Sequence, residues 1–204
     1  MKKEIVFSPD KINELEIPNR LIRSATTEQK VDEDGYVTED LIELYEELAA
    51  GGVGLTISAV ANIREDGKQI AKMLSIYSEE YIEGLSNLAG AYHDKAQEVG
   101  NHSKIFLQIG HCGIQLGTGG WEGDIIAPSE MYYKIAHKTS HALTIEEIKE
   151  IILAYAQVIK WARDAGFDGV QLHGAHGYLI NQFYSPHFNQ RIDGIMVAII
   201  QTLY

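Results

Sequence analysis

The densest group of side chains able to do chemistry lies in His173-Gly174-Ala175-His176-Gly177-Tyr178. Two imidazoles three residues apart, with a tyrosine two residues further on, can converge on one pocket. Imidazole N–H groups donate hydrogen bonds to a carbonyl or carboxylate oxygen, and a tyrosine hydroxyl can deliver a proton. We therefore take His173, His176 and Tyr178 as candidate catalytic and substrate-binding residues. The alternatives are ordinary surface histidines, or a metal site in which His111 is the third ligand.

Three other positions could take part. Gln108 ends an apolar run, and its amide offers a donor beside an acceptor, which matches the edge of a planar imide such as the pyrimidine ring of a flavin. Thr26 and Thr27 also follow an apolar run and could donate hydrogen bonds to a cofactor carbonyl. For each of these residues, considered alone, polar capping of a strand end is the better explanation. Cys112 has no activating partner visible in the sequence, which favours an inert thiol over a nucleophile.

Short β-branched apolar runs alternate along the chain with longer amphipathic runs. This alternation is typical of βα units that build a parallel sheet. The predicted strands are Arg20–Ala25, Val53–Ser58, Lys104–Ile109 and Gly169–His173. The predicted helices are Glu39–Ala50, Glu79–Val99 and a third that follows Thr144 and ends at Gly166.

Capping signals support the helix boundaries. Thr144 and Glu147 form the pattern of a capping box, and Ser78 is the expected N-cap of the second helix. Gly51-Gly52 gives a glycine stop to the first helix. The third helix carries an apolar stripe at helical spacing that should face the sheet. Its members are Ile148, Ile151, Ile152, Tyr155, Val158, Ile159 and Ala162.

Two predicted loops, Ala59–Ile76 and Gly110–Ala142, are longer than most βα connections. Both follow the carboxyl ends of strands, where (β/α)8 barrels carry their catalytic residues. A closed barrel needs eight strands and about 250 residues, but the sequence supplies four strands. We therefore expect a TIM-barrel fold truncated after about four βα units. Its open edge would be a pairing liability and a possible surface for homo-oligomer formation.

The composition is that of a globular protein with an acidic surface. Of the 204 residues, 45% are hydrophobic and 23% charged, and the net charge of −12 argues against nucleic acid and anionic membranes as partners. The single cysteine excludes an internal disulfide framework. The sequence shows neither a signal peptide nor an apolar run of about 20 residues. The cytoplasm is therefore the expected location.

Four segments together resemble the old yellow enzyme, or NADH:flavin oxidoreductase, family. They read NRLIRSATTE at 19–28, GGVGLTIS at 51–58, FLQIGHCG at 106–113 and AGFDGVQLHGAHGYLINQFYSPHFNQR at 165–191. The last is the most specific, because a match of that length directly after a predicted strand does not arise easily by chance. The resemblance covers residues 5–194, and it implies a TIM barrel that binds FMN.

The resemblance also implies roles for individual residues. Val60 matches a small residue beside the flavin ring, and Gln108 matches the glutamine that binds its pyrimidine edge. His173 and His176 match the pair that holds the oxygen of an unsaturated carbonyl substrate, and Tyr178 matches the residue that protonates its carbon. The activity implied is hydride transfer from reduced FMN to an activated C=C bond, with NADH or NADPH as reductant. The segment matching the one against the isoalloxazine ring is Ser24, Ala25, Thr26 and Thr27.

The sequence departs from the family pattern in places. Ile114 stands where relatives often have arginine, and Ala25 where proline is common. The family's phosphate-binding residues come from later strands, so the resemblance implies that this chain lacks that half of the cofactor site. A relative with an additional iron–sulfur domain, such as a dienoyl-CoA reductase, would be a close variant.

After Arg191 the chain loses the family pattern, so we divide it into a half-barrel, 1–194, and a divergent apolar tail, 195–204. Family members continue with threonine-aspartate-x-tyrosine-glycine-glycine. One interpretation is an apolar segment packed on the open edge. The other is a frameshift just before Ile195, because a reading frame one base earlier can encode tyrosine-glycine-glycine at the matching positions.

Three functions follow for the chain as given. The first is an FMN-dependent ene-reductase-like enzyme, impaired by truncation. The second is a non-catalytic fragment that associates through its open edge. The third is a metal-dependent hydrolase that uses His111, His173 and His176, which bound zinc or iron without flavin would favour.

Overall fold

A computed structural model describes residues 5–117 and 119–195 of the chain. The helices are α1 (Glu39–Ala50), α2 (Ile82–Glu98), α3 (Ile145–Asp164) and α4 (Leu179–Tyr184), with 3-10 turns at Ile5–Phe7, Glu65–Gly67 and Glu79–Tyr81. The strands are β1 (Asp10–Ile12), β2 (Leu15–Ile17), β3 (Ile22–Arg23), β4 (Leu55–Asn62), β5 (Leu74–Ser75), β6 (Lys104–Gly110), β7 (Ile126–Ala127), β8 (Tyr132–Tyr133), β9 (Lys138–Thr139), β10 (His141–Ala142) and β11 (Gly169–Leu172).

The main sheet is parallel, as the βα alternation predicts. Its order is β11-β6-β4-β3, and β5 pairs with the carboxyl end of β4. Because neighbours in this order are also successive βα units, the sheet has the strand order of a barrel segment. The extent of the truncation stays a prediction.

The helices cover one face of this sheet. Along β6, Ile105, Leu107 and Ile109 are fully buried against α2 and α3, while Phe106 and Gln108 on the opposite face are partly exposed. Side chains of a strand point alternately to its two faces. One face of the sheet therefore belongs to the core under the helices, and the other, here called the inner face, carries polar side chains such as Gln108. The β1–β2 hairpin packs Ile12 and Ile17 against residues from β4 and β6.

The predicted strand Val53–Ser58 is longer in the structure and contains a bulge. Ile57 pairs with Phe106, but the next pair is Val60 with Gln108, so one additional residue enters β4. The Ser58 hydroxyl accepts a hydrogen bond from Gln108 N at 3.1 Å in place of a backbone carbonyl. The bulge changes which side chains face inward after Ile57, and it brings Val60 to the inner face.

The predicted strand Arg20–Ala25 is shortened to β3. Its ladder has two pairs, Ile22 with Leu55 and Arg23 with Thr56. Beyond them, the N–H of Ala59 donates to the hydroxyl of Tyr45 at 3.0 Å rather than to a neighbouring strand. The segment after Arg23 therefore leaves the sheet.

The helix boundaries follow the capping signals. Thr144 and Glu147 form the predicted capping box at the start of α3, and Thr38 accepts a hydrogen bond from Leu41 N at the start of α1. Ser78 caps the 3-10 turn Glu79–Tyr81, which leads into α2.

The predicted apolar stripe of α3 is only partly correct. Ile148, Ile151, Val158 and Ala162 are buried, but Ile152 is 60% exposed and Ile159 is 40% exposed. The sheet within the described residues ends at β11, and Ile152 lines an open apolar cleft between α3, β11 and α4. None of the helices in the described ranges is long and apolar enough to cross a membrane.

The predicted tail lies outside the described residues except for Ile195. Ile195 is half-buried and packs against the main core. Both interpretations of the tail, an apolar edge segment and a frameshift product, therefore stay predictions.

Candidate active site

The turn after β11, residues 173–178 and here called the histidine turn, gathers three rings. Its reversal uses left-handed backbone at His176 (φ 57°) and Gly177 (φ 69°), a conformation that non-glycine residues seldom adopt. The ring centroids of His173 and Tyr178 are 4.4 Å apart, and those of His173 and His176 are 5.0 Å apart. The structure thus places the three predicted catalytic side chains together at the carboxyl end of the sheet.

His173 is arranged as a neutral hydrogen-bond donor. Its Nδ1 accepts from Ala175 N at 3.3 Å, which leaves the ring proton on Nε2, 3.2 Å from Nδ1 of His176. Burial, followed by the neighbouring His176, lowers the pKa of His173 below its usual value. The ring therefore remains uncharged at neutral pH, while His176 is exposed to solvent.

Tyr178 is arranged to keep its proton. It is only 6% exposed, and burial together with the nearby Cys112 thiol raises the pKa of Tyr178 to about 12. Its hydroxyl donates a hydrogen bond to Oε1 of Gln69, in the loop that follows β4. A phenol in this environment is a proton donor rather than a base at neutral pH.

Gln108 lies on the inner face, where β6 runs beside β11. It pairs in register with Gln171, and its Nε2 donates to Gln171 Oε1 at 2.6 Å. Val60 is also buried, in a small cluster with Met73, Cys112 and Tyr178. Two amides and an apolar wall therefore lie next to the histidine turn.

The segment 24–27 borders this inner face as an open strip. Ser24, Thr26 and Thr27 are exposed, whereas Ala25 is half-buried against the apolar cluster that the β1–β2 hairpin forms with β4 and β6. Thr26 makes a local hydrogen bond to the carbonyl of Ser24 at 3.3 Å. The structure does not draw this strip into hydrogen bonds with the histidine turn.

A partly buried ion pair anchors that strip. Arg23 Nη2 lies 2.5 Å from Glu28 Oε1, and the same guanidinium donates to the carbonyl of Ile57 at 3.1 Å. Tyr45 adds a hydrogen bond to Glu28 at 3.2 Å. These contacts fix both ends of 24–27, although sequence analysis assigned Arg23 and Glu28 no role.

His111 is fully buried, and both of its ring nitrogens are engaged. Nε2 lies 3.1 Å from Asp66 Oδ1, and Nδ1 accepts from Gly113 N at 3.0 Å. Burial acts to raise the pKa of Asp66, but hydrogen bonds from His111 and Arg64 outweigh it and hold that pKa below its usual range. Within 5–117 and 119–195 no three histidine, cysteine or acidic side chains are grouped to hold a metal ion. The metal hydrolase hypothesis thus gains no support from His111.

Cys112 is buried beside Tyr178. Burial, with a contribution from Asp66, raises the pKa of the Cys112 thiol to about 12. The protonated form is a poor nucleophile, in agreement with the expectation of an inert thiol.

Gln182 in α4 holds the histidine turn against the loop after β6. Its Nε2 donates to the carbonyls of Cys112 at 3.1 Å and Gly177 at 2.5 Å, and its Oε1 accepts from Ile114 N at 3.4 Å. Sequence analysis missed this clamp and also missed Gln69. Each joins segments some 70 or more residues apart, for which the sequence contains no local signal.

The chain is similar to known proteins over most of its length. The family model of the NADH:flavin oxidoreductase / NADH oxidase family matches residues 5–195. An NADH oxidase of Thermoanaerobacter brockii is 40% identical over 192 residues, which cover 92% of this chain and 28% of that protein. An NADPH dehydrogenase of Clostridium acetobutylicum is 38% identical over 189 residues, covering 92% and 53%.

The fold is similar to that of solved relatives. The old yellow enzyme homologue from Zymomonas mobilis superposes with a TM-score of 0.81 at 26% identity, covering 93% of this chain and 54% of that one. The chain thus spans about half the length of the NADPH dehydrogenase and of this homologue, and less of the NADH oxidase.

Proposed function

Because the chain belongs to the NADH:flavin oxidoreductase / NADH oxidase family, we propose that its site binds the flavin ring of FMN and an unsaturated carbonyl substrate. The activity is that of old yellow enzyme: NADH or NADPH supplies reducing equivalents, and an activated C=C bond is reduced. The observation that carries the proposal is the convergence of His173, His176 and Tyr178 on the inner face that also bears Gln108.

The residues present fit the ring of FMN. Gln108 offers an amide donor and acceptor for the pyrimidine edge, and Thr27 offers a hydroxyl and a backbone N–H for its carbonyl side. Val60 would form an apolar wall for the ring, and Ser24 to Thr26 would line it. His173, with a proton on Nε2, would serve both the ring and the substrate. When bound and reduced, FMN would supply the hydride.

The chain's own side chains would do the remaining chemistry. His173 and His176 donate hydrogen bonds to the substrate oxygen, where negative charge develops as hydride reaches the β-carbon. Tyr178 gives its proton to the α-carbon, so the C=C bond gains one hydride and one proton. The neutral state of His173 and the raised pKa of Tyr178 both suit these roles.

The phosphate of FMN would be held by residues beyond the segment that this chain shares with its relatives. Charge-assisted contacts supply much of the affinity for a phosphate group. We therefore propose that the 204-residue chain binds the flavin ring weakly and is impaired as an enzyme.

A fusion would test the proposed chemistry. Residues 5–194 replace the matching segment of the Clostridium acetobutylicum NADPH dehydrogenase, and stopped-flow absorbance follows each half-reaction. Tyr178→Phe should slow flavin reoxidation by cyclohexenone by about a hundredfold or more, because a positioned acid is lost. Flavin reduction by NADPH should be unchanged. The control Tyr184→Phe alters an exposed tyrosine. Equal slowing of both half-reactions would contradict the assignment of Tyr178.

The exposed apolar residues of α3 and β11, here called the apolar edge, favour a second candidate function. The chain would then be a non-catalytic fragment that pairs with a second copy. Leu172 on β11 is 52% exposed, and Ile152 on α3 is 60% exposed. A second copy covering this flank would bury the apolar surface.

A further inference from the structure

The hydroxyl of Tyr178 has a protein partner that the reaction does not explain. It donates to Oε1 of Gln69, a residue 109 positions earlier in the chain. Nε2 of the same amide takes no part in that contact. The side-chain amide therefore presents a second, donating group within one bond rotation of the phenol oxygen.

The backbone of Gln69 is fixed on both sides. Its N–H donates to Sδ of Met73 at 3.2 Å, and its carbonyl accepts from Gly117 N at 3.0 Å. The preceding carbonyl, of Lys68, accepts from Trp121 N at 2.9 Å. Because these hydrogen bonds hold the main chain, rotation of the side-chain amide is the simplest movement open to Gln69.

We propose that Gln69 is a positioning residue for proton transfer by Tyr178, accepting from the phenol at rest and donating to the phenolate afterwards. The inference rests on the proposed function. When the Tyr178 O–H bond breaks and its proton forms the new C–H bond, the oxygen keeps the electron pair. A half-turn of the amide brings Nε2–H to that oxygen, and water later restores the proton.

None of the titratable groups around Tyr178 is suited to donate a hydrogen bond to the phenolate. They are His173, His176 and Cys112. The histidines face the substrate oxygen in the proposed function, and an ionised Cys112 would repel the phenolate. An amide can switch between acceptor and donor without a change of charge, which neither an aliphatic nor an acidic side chain can do.

The test measures the pKa at position 178 in the 204-residue chain, without flavin or substrate. A fluorinated tyrosine of lower intrinsic pKa is incorporated there, and ¹⁹F NMR follows its titration while backbone amide spectra confirm the fold. Loss of a donor to the phenolate destabilises the charged form. Gln69→Met should therefore raise the pKa by about one unit, given the strength of hydrogen bonds to charged groups.

The direction of the shift decides the outcome. If Gln69 only accepts a hydrogen bond from the phenol, Gln69→Met will lower the pKa; that result, or no change, would overturn the proposal. Gln69→Leu, which also removes the amide donor, should raise it as well and serves if the methionine variant does not fold. The control Gln157→Met changes an exposed glutamine on α3. Because flavin is absent, the result is independent of whether the proposed function holds.

Discussion

At the scale of single residues, Gln182 shows how the histidine turn is held in place. Its amide satisfies the buried carbonyl of Cys112 and N–H of Ile114 in the loop after β6, and the partly buried carbonyl of Gly177 in the histidine turn. A buried backbone group without a partner costs about 1–3 kcal/mol. The position of the turn therefore depends on a side chain that does not face the pocket.

Replacing this amide by an aliphatic group should be costly. Gln182→Leu leaves Cys112 O, Gly177 O and Ile114 N without their partner, so we expect the free energy of unfolding to fall by about 3 kcal/mol or more. Urea denaturation followed by circular dichroism measures it. The control Gln157→Leu, at an exposed site, should change stability by less than about 0.5 kcal/mol. Equal stability of the two variants would show that the clamp is not needed.

Sequence analysis identified some of these residues because their signals are local. His173, His176 and Tyr178 lie within six positions after a strand, so their convergence requires only one tight turn. Gln69 and Gln182 could not be found in this way, since their partners are distant in sequence and a lone glutamine carries no signature. The roles of the predicted residues stay predictions until they are tested by mutation.

At the scale of elements, α3 begins at the signal that the sequence displays. Glu147 accepts hydrogen bonds from the N–H of Thr144 at 2.7 Å and from His141 at 2.9 Å. These contacts, the backbone N–H of Thr144 first, lower the pKa of Glu147 from 4.5 to about 2. A carboxyl whose pKa is lower in the folded state stabilises the fold above its unfolded pKa.

The contribution of Glu147 should consequently be lost in acid. As the pH falls from 4.5 to about 2, Glu147 binds a proton more readily in the unfolded chain, and the free energy of unfolding decreases. Glu147→Gln should flatten this part of the pH dependence, as measured by urea midpoints across the range. Glu146→Gln, in the same helical turn but outside the capping box, should keep the wild-type slope. Identical slopes in both variants would contradict the capping role.

The bulge in β4 illustrates what element patterns miss. The apolar run at 53–58 predicts a strand, but nothing in it indicates that the Ser58 hydroxyl will replace a ladder carbonyl. Without the bulge, the residues after Ile57 would face the opposite sides of the sheet. Helix ends were more predictable, because caps are local while ladder irregularities depend on a neighbouring strand.

At the scale of the molecule, the exposed flank of α3 and β11 should control association. Ile152 and Leu172 are 60% and 52% exposed and line the apolar surface at this flank. Replacing both by lysine should shift sedimentation profiles toward monomer at high concentration, without loss of stability. The control Ile135→Lys changes an isoleucine that is 73% exposed in the loop after β6. If association persists in the double variant, the edge is not the contact surface.

The overall architecture was largely predictable because βα alternation, glycine stops and capping boxes all indicate the same parallel sheet. The prediction that the whole apolar stripe of α3 faces the sheet was wrong in part. The helical spacing of apolar residues does not show which side of the helix lacks a neighbouring element. Ile152 and Ile159 match the core pattern in sequence yet face solvent in the described residues.

An NMR titration of the ¹⁵N-labelled chain tests most directly whether this inner face is a flavin-ring site. FMN and lumiflavin, which lacks the ribityl phosphate, are added separately to millimolar concentration. We expect saturable shifts at Gln108, Thr27 and His173, with affinities for the two ligands within about threefold, since the phosphate finds no charge-assisted partner. Absence of shifts, or shifts centred on another surface, would contradict the claim.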